Sequence, residues 1–175
     1  MTNPVLTCIA DRRSIRAYQE VQPTEAQINT LLEAAGQAPS ARNLQPWHIS
    51  VVKNQEIIKE INAETVKQRE IEYTDMFYGA PVVFFISVDH PNNRWARLDC
   101  GIMVQTIALA AHSMGLGSVI LGNPDHAFTG SDGARMNALI KVPEGYTFAV
   151  AIAIGVPATT KEAHPVLPDR ITFID

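Results

Sequence analysis

Apolar residues recur along this chain with two different periods, and the alternation between them outlines its elements. Val5, Leu6 and Ile9 at helical spacing mark a short amphipathic helix over residues 4–12, with Pro4 near its start. Thr24 with Gln27 three residues later forms a capping box, and the stripe Ile28, Leu31, Leu32, Ala35 carries that second helix to Gly36. Asn54 caps a third helix through about residue 66, with Ile57, Ile58 and Ile61 facing inward. Residues 67–79 show no clear period. The longest helical pattern, residues 95–114, carries Ile102, Val104, Ile107, Leu109 and Ala110 and is apolar nearly all round. Such a helix belongs in the core or at a subunit interface. Gly115-Leu116-Gly117 stops it, and a further helix opens at Ser131 or Asp132 and runs to about residue 140.

Between these helices lie strand-length runs. Residues 81–88 form a nearly unbroken apolar run, as expected for a central strand covered on both faces. Shorter runs fall at residues 49–52, 118–121 and 148–156, and residues 170–175 are strand-like. The pattern is α/β or α+β, with about five strands and five helices in a single domain over residues 1–175. The arm over residues 160–175 contains Pro165 and Pro168, and proline favours extended backbone. Its terminal strand completes either the sheet of its own chain or that of a second copy.

One loop stands apart. Pro39 and Pro46 fix φ within residues 38–52, so the polar stretch Ser40-Ala41-Arg42-Asn43-Leu44-Gln45 is stiff rather than frayed, a good place to bind a ligand.

Composition narrows the class. With 175 residues, 46% hydrophobic and 18% charged, the chain is globular and long enough for a substantial core. A net charge of −4 argues against a nucleic-acid surface as its main business. Cys8 and Cys100 form no CxxC, which suits a reducing cytoplasm. The charged first twenty residues show no signal-peptide pattern, and no apolar stretch is long enough to span a membrane. A cytoplasmic protein with neither nucleic-acid nor membrane partners is expected.

The chemistry is defined largely by what is missing. The five histidines (His48, His90, His112, His126, His164) show no metal-ligand spacing, so no metal site is expected. There is no GxSxG, Walker loop or GxGxxG; Gly115 to Gly122 is the nearest glycine-rich stretch. No acid–base pair or nucleophile emerges, so an enzyme of this sequence would rely on a cofactor. Arg12-Arg13-Ser14-Ile15-Arg16 reads either as a solvated face or as a phosphate clamp, since guanidinium is a planar fork of donors that stays charged.

Taken together, Arg12-Arg13-Ser14-x-Arg16, the segment Pro39 to Trp47, Asp99-Cys-Gly-Ile-Met-Val-Gln105, Gly115 to Gly122, Pro143-Glu-Gly-Tyr146, Ala151 to Pro157 and a late Arg170 resemble the FMN-dependent nitroreductase family. The resemblance covers essentially the whole chain. It implies an α+β, nitroreductase-like fold: a central, mostly antiparallel sheet of about five strands flanked by helices. It also implies a homodimer with FMN at the subunit interface and the C-terminal strand exchanged between subunits. The implied activity is ping-pong transfer of electrons from NADH or NADPH through flavin N5 to a nitroaromatic, quinone or similar small-molecule acceptor. Relatives of the same fold act as flavin reductases or dehalogenases, and a flavin-binding sensor without turnover is the alternative of a different class.

By the same resemblance, Arg12, with Arg13 or Ser14, holds the FMN phosphate and ribityl chain, and Arg170 supplies a second phosphate charge. Arg16 matches a cation near the pyrimidine side of the ring. Pro39, Ser40, Ala41 and Asn43 match the segment that packs on the ring from the other subunit, with Gln45 in support. The backbone of Leu121 and Gly122 matches the stretch that meets N5, with the Gly122 N–H as the partner. No catalytic side chain is implied. Gln68 and Arg69 are candidates for a further polar contact to the ring. The chain departs from the family in its short length and in showing one late arginine where many members have two basic residues close together.

Overall fold

A computed structural model describes residues 3–89, 93–163, 165 and 170–174. His90, His164, Pro168 and much of the arm lie outside the described residues. Helices α1 (Pro4–Asp11), α2 (Glu25–Gly36), α3 (Gln55–Gln68), α4 (Ala96–Ser113), α5 (Asp125–Thr129) and α6 (Gly133–Leu139) surround four strands. These are β1 (Trp47–Val52), β2 (Val82–Asp89), β3 (Gly117–Leu121) and β4 (Tyr146–Gly155), paired antiparallel in the order β1-β2-β4-β3.

The apolar run of β2 explains the layers. Its alternate residues point to opposite faces, as the period of a strand requires. Val82, Phe84, Ile86 and Val88 pack with α2 and α4, while Val83 and Phe85 pack with α3, α5 and α6. On the second face Phe128 stacks on Phe148 at 4.8 Å, and Phe85 meets Phe128 and Phe77 edge-on at 5.7 Å.

Local signals act as expected. Thr24 and Gln27 make both bonds of the capping box, the Asn54 side chain accepts from Glu56 N–H at 2.9 Å, and Gly115 leaves α4 at a φ of +76°. Several features differ from the sequence reading. The sheet within this chain has four strands among the described residues, not about five. Residues 171–174 are not in a strand, and Phe173 and Ile174 are 88% and 93% exposed. Helix α5 appears where none was expected, being too short to display a period. Finally, α1 buries none of its residues: Val5, Leu6 and Ile9 face outward. Helix α4 is buried on one face only, leaving Leu98 and Ile102 open beside Trp95 on the other.

A strap over residues 12–19 then lies along the sheet. Ile15 N–H donates to Ser118 O at 2.9 Å, and Gln19 N–H to Val156 O at 2.9 Å. Tyr18 donates its hydroxyl to Ile15 O and Ala153 O, and burial raises its pKa well above the usual phenol value. Gly155 permits this approach, because a Cβ there would stand 2.6 Å from Pro81 and 2.9 Å from Tyr18.

Phe84 is fully buried between the sheet and α4. Phe84→Ala is expected to lower the unfolding free energy by about 3–5 kcal/mol in urea titration, through lost contact and the cavity left behind. A loss below about 1 kcal/mol would contradict this packing.

Candidate functional site

The strap carries the arginines to the edge of β3. Ser14 bridges Ser118 in parallel, so Ser118 turns its main-chain groups away from β4 and toward the strap. The strand period turns Ile120 and then Gly122 to that same edge. The Gly122 N–H has no partner among the described residues, while its carbonyl accepts from Asp125 N–H. One edge, met by the strap at Ser118, therefore runs from Gly117 to Gly122, about 17 Å at 3.3 Å per residue.

At the Gly117 end lies a cleft of about 310 Å³ lined by Arg12, Arg13, His112, Ser118, Thr159 and Lys161, among others. The side chains of Arg12 and Lys161 form no ion pair or hydrogen bond among the described residues. Arg13 folds back to donate to Ala10 O and Arg12 O, leaving its Nε buried with no acceptor. Asp11 also lines the cleft but forms no ion pair with these cations among the described residues, and unpaired cations with a stranded donor among them are chemically suited to an anion with several oxygens. Arg16 sits farther along the strap, its guanidinium 5.8 Å over the Tyr78 ring.

The polar loop is held elsewhere. Residues 41–43 form a 3-10 turn, and Arg42, Asn43 and Gln45 all take positive φ of 47° to 55°. Such a conformation costs non-glycine residues of order 1 kcal/mol each. Ser40 supports it by accepting from Asn43 N–H at its carbonyl and from Gln45 N–H at its Oγ. Ala41 N–H donates to Asp99 Oδ1 at 3.1 Å, fastening the loop to the first turn of α4. Pro39, Ser40 and Ala41 line a groove with Trp95, Leu98 and Ile102. Asp99 and the cleft residue His112 are thirteen residues apart on α4, about 20 Å along its axis.

The structure therefore brings Arg12, Arg13, Ser14, Arg16, Leu121 and Gly122 to one edge. It sets Pro39, Ser40, Ala41 and Asn43 at the far end of α4. Arg170 is exposed and does not line the cleft. Gln68 is committed elsewhere, donating to Glu64 Oε1 at 2.6 Å and Ser131 Oγ at 2.9 Å, and Arg69 reaches Met76 Sδ. Lys161 went unnoticed in the sequence. Its only signal is position, four residues after the Pro157 that follows β4. Asp99 was one letter in a helical motif. Cys100 beside it is no nucleophile, because burial first and the Asp99 charge second push its thiol up to about 12.

Comparison with known proteins follows this geometry. Residues 9–156 match the model of the nitroreductase family. A protein of Methanothermobacter thermautotrophicus is 35% identical over 174 residues, spanning 95% of this chain and 85% of that one. The FMN reductase (NAD(P)H) of Bacillus subtilis is 27% identical over 96% of this chain and 72% of its own. The crystal structure of a Desulfitobacterium hafniense nitroreductase with bound FMN is 34% identical, covers both chains fully and superposes with a TM-score of 0.92.

The Gln68 hydrogen bond, with help from Lys67, holds the buried Glu64 carboxyl below its usual pKa. A depressed pKa stabilises the fold above the unfolded value and loses that effect as pH falls through the folded one. Gln68→Ala should thus cost roughly 0.5–1.5 kcal/mol at pH 7, a gap that narrows below about pH 4 in urea titrations at both pH values. A gap unchanged at low pH would contradict the assignment.

Proposed function

The chain belongs to the nitroreductase family, and from that premise we propose that it is an FMN-dependent oxidoreductase drawing electrons from NADH or NADPH. The acceptor is a nitroaromatic, a quinone or a similar small molecule. The observation that carries this reading is the set of cations without carboxylate partners at the foot of the β3 edge, with the stranded Arg13 Nε among them. They fit a phosphate, and the edge above them has the length of an extended flavin mononucleotide. FMN supplies the electron-transfer chemistry when bound.

This chain's residues do the rest. Arg12, Arg13 and the Ser14 hydroxyl bind the phosphate, and Lys161 supplies the second late cation that the sequence lacked beside Arg170. Arg16, along the strap, offers positive charge at the pyrimidine edge of the ring, where negative charge develops. The Gly122 N–H donates to N5. Pro39, Ser40, Ala41 and Asn43, about 20 Å away in the same chain, cover the ring of a second copy.

The surfaces left open support a homodimer. The outward residues Val5, Leu6 and Ile9 of α1 and Leu98 and Ile102 of α4 form an apolar face of the kind that associates. The outer edge of β1 pairs with no strand among the described residues, and residues 171–174 end in exposed Phe173 and Ile174. Exchange of that terminus onto β1 of the partner supplies the fifth strand and removes both liabilities. No helix among the described residues is long and apolar enough to cross a membrane.

Purified protein should be yellow, bleach under anaerobic NADH or NADPH, and recover its colour on adding a nitro compound. Colour without bleaching would favour the flavin-binding sensor instead. Arg12→Ala should weaken FMN binding roughly 10- to 100-fold in a fluorescence titration, as for a lost charge-assisted bond, and Lys161→Ala should weaken it less. Wild-type affinity in Arg12→Ala would sink the phosphate assignment. Deleting residues 170–175 should shift the sedimentation profile toward monomer, and an unchanged profile would argue against exchange.

A further inference from the structure

Asp99 combines two features that the fold alone does not explain. It is 3% exposed on α4, and its Oδ1 makes the only side-chain bond among the described residues that fastens the strained loop to another element. Its Oδ2 is also buried and has no hydrogen-bond partner. An orphaned carboxylate oxygen in the interior is a cost, and such groups are retained where they hold something in place. What Asp99 holds is the Ala41 N–H, at the start of the turn where Arg42, Asn43 and Gln45 adopt left-handed backbone. The other bonds of the turn are internal to it, donated by the N–H groups of Asn43, Leu44 and Gln45 to Ser40 and Ala41. They can keep the turn's shape but cannot fix where it sits on α4.

We propose that Asp99 is the positioning residue of the flavin-covering loop: its carboxylate clamps the Ala41 N–H and so sets where Pro39, Ser40, Ala41 and Asn43 are presented to the ring of the partner copy. This rests on the flavin reading above. Asp99 touches neither flavin nor acceptor and acts only through the loop. The first turn of α4 suits the task, since the helix N-terminus favours negative charge and the helix is rigid. The groove beside the clamp, floored by Leu98 and Ile102, leaves the loop otherwise unsupported on its outer side. Asp99 therefore links the subunit-facing side of α4 to the geometry of a site it does not enter.

The test compares Asp99→Ala with Asp99→Asn in the full-length protein. The amide oxygen of Asn can accept the same Ala41 bond, so Asn rescues a positioning role while Ala does not. In the flavin-free protein, amide exchange at Ala41 should accelerate roughly tenfold or more in Asp99→Ala and stay near wild type in Asp99→Asn. In titrations with FMN, Asp99→Ala should raise Kd roughly tenfold and alter the visible circular dichroism of the bound flavin, with Asp99→Asn again near wild type. Unchanged exchange in Asp99→Ala overturns the clamp. Faster exchange with wild-type Kd and spectrum overturns its role in the site. A wild-type protein that takes up no FMN overturns the flavin reading itself, and this role with it. Should Asp99→Ala fail to fold, Asp99→Asn decides: wild-type Kd and spectrum support the clamp, and their loss in a folded Asp99→Asn protein overturns it.

Discussion

Helix α4 is the rigid spacer of the candidate site, holding the strained loop at its first turn and the arginine cleft at its last, about 20 Å apart. Its 18 residues make a rod about 27 Å long, packed along one face against β2, β4 and α2. The loop from Pro39 to Gln45 is fastened near its first turn, through Asp99, and the arginine cleft lies at its last turn, beside His112. A rod buried in the core cannot bend to bring its ends together. The groups suited to phosphate and the groups suited to cover a ring are thus held at a fixed separation, and in the proposed dimer each is completed by the other half from a second copy.

That constraint also accounts for the unusual surfaces. Leu98 and Ile102 on the outer face of α4, with Val5, Leu6 and Ile9 on α1, are the apolar surface that the proposed dimer would cover. The strained loop makes sense in the same frame. Left-handed backbone at three non-glycine residues persists only where neighbours over-determine it. Ser40 and Asp99 do so here. In the proposed dimer such a loop would bring its shape to the partner's site already formed.

Much of this was legible in the sequence because it rests on local chemistry. The Thr24–Gln27 box, the Asn54 cap and the Gly115 stop mark helix ends, and the apolar run of β2 betrays a strand covered on both sides. The arginine cluster and the stiff loop were identifiable as site material from residue type alone. What stayed hidden was spatial. Lys161 is an ordinary lysine until the chain leaving β4 turns beside the strap. Asp99 is one acid in a helix until Ala41 reaches it across 58 positions. Positive φ at Arg42, Asn43 and Gln45 has no signal in residues that usually avoid it. The fifth strand read from residues 170–175 is not formed among the described residues, because pairing depends on a free sheet edge and not on local sequence.

Subunit complementation tests the shared site most directly. One chain carries Arg12→Ala; the other keeps its arginines but has Pro39, Ser40, Ala41 and Asn43 replaced by glycine. Each alone should fail to retain FMN. In the mixed dimer one site combines both lesions and the other combines neither, so FMN binding should return at one flavin per dimer. If arginines and loop of the same chain formed the site, every site would carry a lesion. A mixed dimer that forms but binds no FMN would contradict the account.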